Sequence, residues 1–83
     1  MKVRIKYFAS IREAIGQPGE TVQTDSPDLA TLRRELIARG GAYAEALAPG
    51  KAVRVALQQV MSDESSLLSD DAEVAFFPPV TGG

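Results

Sequence analysis

At 83 residues, 45% of them hydrophobic and 24% charged, the chain has room for one globular domain with a small core. A net charge of −2 supplies no basic field for nucleic acid or anionic lipid, and mild acidity suits a basic groove on a partner. With no cysteine and no histidine, the chain has no disulfide, no thiolate, and neither the commonest general base nor the commonest metal ligand, which argues against catalysis by this chain alone.

Residues 2–9 open with strict alternation. Val3, Ile5 and Tyr7 point one way and Lys2, Arg4 and Lys6 the other, the signature of a half-buried strand. Phe8 falls on the lysine face, either as a strand end curling over the core or as an aromatic kept for a partner. Residues 10–19 read as a loop or a single helical turn, with Ile11, Ala14 and Ile15 as an apolar edge. Residues 20–24 read as a second strand, antiparallel to the first.

Residues 28–39 are the one strong helix. Asp28 is placed to cap its N-terminus, Leu29, Leu32, Leu36 and Ile37 form an apolar stripe, and Gly40-Gly41 stops it. Arg33, Arg34 and Arg39 read as a solvated face. A short second helix is expected over residues 42–47, then a turn at Pro49-Gly50. Residues 52–60 read as a third strand with Val53, Val55 and Leu57 on one face. Residues 61–68 read as a polar connection with room for a minor strand, in which Leu67 and Leu68 plug the edge of the core. Ser69-Asp70-Asp71 is a turn, and residues 72–77 form the last strand. One main amphipathic helix for four or five strands predicts a two-layer α+β domain, the helix lying across one sheet face. No apolar run is long enough to span a bilayer and no secretory signal is visible, so the expected compartment is the cytoplasm.

The end of the chain carries the functional signal. Phe76-Phe77-Pro78-Pro79-Val80-Thr81-Gly82-Gly83 starts as a strand and stops at a double proline, which cannot continue a central strand and favours an extended spacer. Val80 to Gly83 can reach roughly 13 Å at about 3.3 Å per residue. Two glycines without Cβ leave a bare carboxylate on a slim arm, a shape suited to a narrow slot in another protein. The division expected is a globular domain over residues 1–77 and an extended tail over residues 78–83. If Val74 and Phe76 enter the core, Phe77 shares the outer face with Glu73. Pairing of the first and last strands then sets Phe8 and Phe77 together at the root of the arm.

This layout resembles the ubiquitin-like β-grasp fold, with a mixed four- to five-stranded sheet. The run from Glu73 through Phe77-Pro78-Pro79 to Gly83 resembles the molybdopterin synthase small-subunit family (MoaD). The opening from Val3 to Glu13 and the helix entry from Pro27 to Arg33 are similar to that family too. Two departures lie in turns: Gln58 or Gln59 where the family usually has Asn, and Asp70-Asp71-Ala72 where it tends to read Asp-Gly-Asp.

The resemblance implies a sulfur carrier in molybdenum cofactor biosynthesis. Gly83 would be adenylated with ATP by an activating partner (MoeB), converted to a thiocarboxylate by a sulfur donor, and inserted into the large subunit (MoaE). There it would donate sulfur to cyclic pyranopterin monophosphate. Phe8 and Phe77 would anchor docking, Pro78 and Pro79 would hold the arm extended, and Val80, Thr81 and Gly82 would occupy the channel. The chain would bind no cofactor or metal, and would be part of an enzyme only as the carrier subunit of heteromeric molybdopterin synthase. The alternatives are a carrier for thiazole synthesis or tRNA thiolation, a ubiquitin-like protein modifier, or a binding module with an inert tail.

Overall fold

The computed structural model describes residues 1–79; Val80, Thr81, Gly82 and Gly83, to which the arm's chemistry and channel contacts are assigned above, lie outside the described residues. The order of elements is β1 (Lys2–Tyr7), α1 (Ala9–Ile15), β2 (Gly19–Gln23), α2 (Leu29–Ile37), α3 (Gly41–Ala46), β3 (Arg54–Leu57), β4 (Val60–Ser62) and β5 (Ala72–Phe77). The strands form one mixed five-stranded sheet in the order β2-β1-β5-β3-β4. β1 and β5 run parallel at its centre, from Val3 opposite Ala72 to Tyr7 opposite Phe76. The other pairs are antiparallel.

Alternation decides which side of each strand is buried. Val3, Ile5 and Tyr7 of β1 and Ala72, Val74 and Phe76 of β5 all point to the helix side and are at most 2% exposed. There they meet Leu29, Leu32 and Leu36 from α2, together with Ile11, Leu47 and Val55. Each large side chain so buried contributes about 1.5–3 kcal/mol relative to an exposed one. The Tyr7 and Phe76 rings stack with centroids 6.3 Å apart. Asp28 caps α2 as expected: the Thr31 N–H donates to its Oδ1 at 2.8 Å, and that bond holds the Asp28 carboxyl below its usual range. β2 closes onto β1 because residue 19 is glycine. A Cβ there would stand 2.5 Å from the Ile5 carbonyl oxygen.

Several elements differ from the sequence reading. A seven-residue helix, α1 (Ala9–Ile15), stands where residues 10–19 read as a loop or one turn. Its residue at the N-cap, Phe8, makes no capping bond, so no sequence signal marks the start. Ile11 anchors it in the core, and Gly16, in the left-handed region at φ 88°, ends it. The third strand is shorter than residues 52–60. It stops at Leu57, and Gln58 and Gln59, at φ 52° and 67°, turn the chain back into β4. Positive φ at both central residues of a two-residue hairpin is the geometry that favours Asn-Gly. Asp71 tolerates φ 63° in the turn before β5. Leu68 packs on the core, whereas Leu67 is 74% exposed and plugs nothing.

Arg33 is the largest correction to the expected solvated face. It is 6% exposed and donates from Nε to the Leu47 carbonyl at 2.8 Å and from Nη2 to those of Ala48 and Lys51 at 2.7 and 3.2 Å. Its Nη1 pairs with Glu64 at 2.9 Å. A helix-flanking arginine thereby satisfies the carbonyls of a turn that has no ladder of its own. Arg39 is also engaged, 2.8 Å from Glu20 and over the Tyr43 ring. Arg34 remains on the exposed side of α2.

Candidate functional site

The sheet's second face carries no helix. On it, β1 presents Lys2, Arg4 and Lys6, while β5 presents Glu73, Ala75 and Phe77. Left-handed backbone at Ala9, φ 51°, turns the chain off β1 and leaves Phe8 at the strand's end, 45% exposed. The Phe8 N–H donates to the Phe76 carbonyl at 3.1 Å, so Phe8 continues the β1–β5 register beside Phe77. Phe8 and Phe77 thus occupy one face, as the alternation predicts.

The patch is wider than those two rings. Ala75 pairs with Ala56 of β3, and Ala56 with Met61 of β4, which is 58% exposed. Apolar side chains on this face therefore run from Phe8 and Phe77 through Ala75 to Met61, with Ala56 between the last two only 8% exposed. Met61 escapes a sequence reading because its face depends on the Gln58-Gln59 turn, which resets the alternation between β3 and β4.

At the end of β5 the arm departs. Pro78 and Pro79 follow Phe77 outside the sheet, and Pro78 lines a groove of about 320 Å³ with Ile11 and Ala14 of α1, Ala46 of α3, and Lys51 and Val53. The structure thus brings Phe8, Phe77, Pro78 and Pro79 to one end of the domain.

A profile of the ThiS family matches residues 5–83. The molybdopterin synthase sulfur carrier subunit of Escherichia coli is 38% identical over 81 residues, covering 98% of this chain and 99% of that protein. The protein of the same name from Mycobacterium tuberculosis is 33% identical over 85 residues, covering 100% and 99%. The chain belongs to the ThiS family.

Solved structures agree on the fold. SAMP1 from Haloferax volcanii superposes with a TM-score of 0.78 at 22% identity over all of both chains, a likeness of fold alone. The complex of subunits 1 and 2 of molybdopterin-converting factor from Helicobacter pylori matches with a TM-score of 0.70 at 25% identity, again over all of both chains. The fold is the ubiquitin-like β-grasp, as its sequence resemblance implies.

In this ThiS-family chain the polar groups divide between the two sides of the sheet. On the open face Arg4 lies 3.2 Å from Asp71 and 3.7 Å from Glu73, Lys6 lies 3.5 Å from Glu73, and Lys2 lies 3.9 Å from Asp71. The Asp71 pairs are exposed and worth at most about 1 kcal/mol each, whereas the Glu73 side chain that Arg4 and Lys6 share is only 13% exposed. On the helix side the Glu20 carboxylate accepts from Tyr7 at 2.9 Å, Tyr43 at 2.8 Å, Gln17 at 3.0 Å and Arg39 at 2.8 Å. Burial alone would push the Glu20 carboxyl up, but the bonds from Arg39, Tyr43 and Tyr7 outweigh it and hold the group below its usual range. Burial, then the bond to Glu20, pushes the Tyr7 hydroxyl far above its usual range, so it remains a donor. This cluster ties β1, β2 and α3 to Arg39, just past the end of α2, and Glu20 and Tyr7 also border the concavity that holds Phe8.

No His/Cys/Asp/Glu group among the described residues is placed to hold a metal ion, and no described helix is long and apolar enough to cross a membrane. What the described residues offer chemically is exposed Phe8 beside Phe77 at the end of β5, where Pro78-Pro79 follows.

Proposed function

We propose that this chain is the sulfur carrier subunit of molybdopterin synthase and works through its terminal carboxylate. The observation that carries the reading is the coincidence of exposed Phe8, on the helix-free face beside Phe77, with the point where β5 gives way to Pro78-Pro79. The names of the full-length relatives support it, and they favour this branch over thiazole synthesis, tRNA thiolation or protein modification.

A carboxylate is anionic and resonance-stabilised, so Gly83 needs activation before sulfur can be installed. ATP and an adenylating enzyme of the MoeB kind form the acyl-adenylate and release pyrophosphate. A sulfur donor then displaces AMP and leaves a thiocarboxylate, whose sulfur is the soft nucleophile that a chain without cysteine otherwise lacks. Docked on the large subunit, the arm delivers that sulfur to the pterin precursor. The large subunit supplies the acid–base groups. Phe8 and Phe77 anchor the docked state, Pro78 and Pro79 limit the entropy lost on insertion, and Gly82 allows close approach in a slot that a Cβ would block. Residues 1–77 serve as the docking domain and residues 78–83 as the arm, acting in the cytoplasm and holding no cofactor of their own.

The test is intact mass spectrometry of the chain taken from its own cells. A population with one oxygen replaced by sulfur is expected; a protein adduct would indicate a modifier, and an unchanged mass an inert tail. One extra residue after Gly83 should abolish sulfur transfer with the melting curve unchanged, and full activity in that variant would refute a terminal role.

A further inference from the structure

The chain is acidic overall, yet its docking face is not. Lys2, Arg4, Lys6, Arg12 and Arg54 lie on or beside the open face, against Asp70, Asp71 and Glu73. Five cations against three carboxylates leave that face with a surplus of two positive charges on a chain whose total is −2, so the remainder carries −4. The asymmetry sharpens towards the arm. Arg54 stands directly opposite Phe77 across β3 and β5. Arg12, on α1, shares a concavity of about 550 Å³ with Arg4, Lys6 and Phe8. Neither Arg12 nor Arg54 makes an ion pair among the described residues, whereas the acids of the face lie at the far end or, as Glu73, are shared by Arg4 and Lys6. Glu20, which borders the same concavity, has its carboxylate taken up by Tyr7, Tyr43 and Arg39. Glu13 lines a second hollow together with Arg12, Gly16 and Gln17, and Glu45 lines the Pro78 groove with Lys51, but neither carboxylate is within ion-pair distance of Arg12 or Arg54.

We propose that Arg12 and Arg54 form a cationic collar at the root of the arm that steers Phe8 and Phe77 onto a protein partner whose slot is rimmed by carboxylates. This rests on the docking role proposed above and replaces the basic groove that net charge alone suggested. Charges at the rim of an apolar contact act on encounter more than on residence, and they do so within a Debye length of about 10 Å at 0.1 M salt. The sign of the collar selects the partner's sign, and its position beside Phe8 and Phe77 sets the arm's end of the domain facing the slot.

The experiment measures association of the full chain with the molybdopterin synthase large subunit of the same organism by stopped-flow fluorescence. Arg12→Glu and Arg54→Glu are compared with Arg34→Glu, which makes the same charge change on the helix side. Each collar variant is expected to slow association about fivefold or more at about 0.05 M salt, with dissociation little changed, and the difference should collapse at about 0.5 M salt. Arg34→Glu should change the rate less than about twofold. All three sites are exposed, and matching thermal melts establish that the variants remain folded. Equal slowing by Arg34→Glu would overturn the collar in favour of net charge, and association by the wild type that ignores salt would overturn it while leaving the carrier function standing. A wild type that binds no large subunit at any salt would remove the docking reading as well. A mixed-sequence RNA oligonucleotide that binds as tightly as the large subunit, with the same loss in the collar variants, would overturn a protein partner.

Discussion

Val3, Ile5, Tyr7, Val74 and Phe76, on the helix side of the sheet, are no more than 2% exposed, while Phe8 and Met61 on the opposite face remain 45% and 58% exposed. The same strands supply both faces, and adjacent residues of β5, Phe76 and Phe77, belong to different ones. All three helices contribute to the first face, through Ile11, the leucines of α2, and Tyr43 and Ala46. No described helix lies over the second, although its own side chains leave Ala56 only 8% exposed and the Glu73 side chain 13% exposed. The difference teaches that apolar character in this sheet has two meanings: where a helix lies over it, it is cohesion, and where none does, it is exposed surface, to which the docking role is proposed above.

The sharpest way to break that comparison is to truncate the two neighbouring phenylalanines. Phe76→Ala should cost about 3–5 kcal/mol in urea denaturation, because it empties a fully buried site beneath Tyr7. Phe77→Ala should cost about 1 kcal/mol or less but weaken binding of the large subunit at least about tenfold. Similar stability losses in both variants would place Phe77 in the core and dissolve the distinction.

A smaller effect is expected from the polar part of the helix side. Arg33→Met should lose about 2–3 kcal/mol, since it strips the donors from the carbonyls of Leu47, Ala48 and Lys51. A neutral result would mean that water replaces the guanidinium and that the turn needs no internal donor.

Glu20→Gln should lose about 1–2 kcal/mol at pH 7. Because the native carboxyl lies below its ordinary value of 4.5, its contribution is complete above that value and declines as pH falls through the native one. The gap between wild type and Glu20→Gln should therefore close on acidification. A gap that stays constant with pH would show that the carboxylate's charge contributes nothing.

Smallest is the hairpin that brings Met61 onto the open face. Replacing Gln58-Gln59 by Asn-Gly should stabilise by about 0.5–1 kcal/mol in thermal melts, because both positions have positive φ. A loss of stability would indicate that Gln58, whose Oε1 accepts from the Glu73 N–H at 2.7 Å, matters more than turn geometry.

Period-two alternation made the first and last strands and the sides of Phe8, Phe76 and Phe77 legible in the chain itself, and the Asp28 cap with its leucine stripe did the same for α2. Less legible was α1, which lacks a capping side chain and has one fully buried residue, so that only the packing of Ile11 reveals it. Arg33 looked solvated for a related reason. Its carbonyl partners lie 14 to 18 residues away and have no sequence signature.

By itself the sequence determined the α+β architecture, the faces of the first and last strands and the unusual end of the chain, because these follow from local periodicity and from the backbone limits of proline and glycine. Tertiary structure alone decided that Arg33 is buried, that Met61 joins the open face, and that Arg54 stands opposite Phe77 at the end of β5. Those outcomes depend on which distant segments the sheet brings side by side, and neither composition nor spacing along the chain encodes that sum.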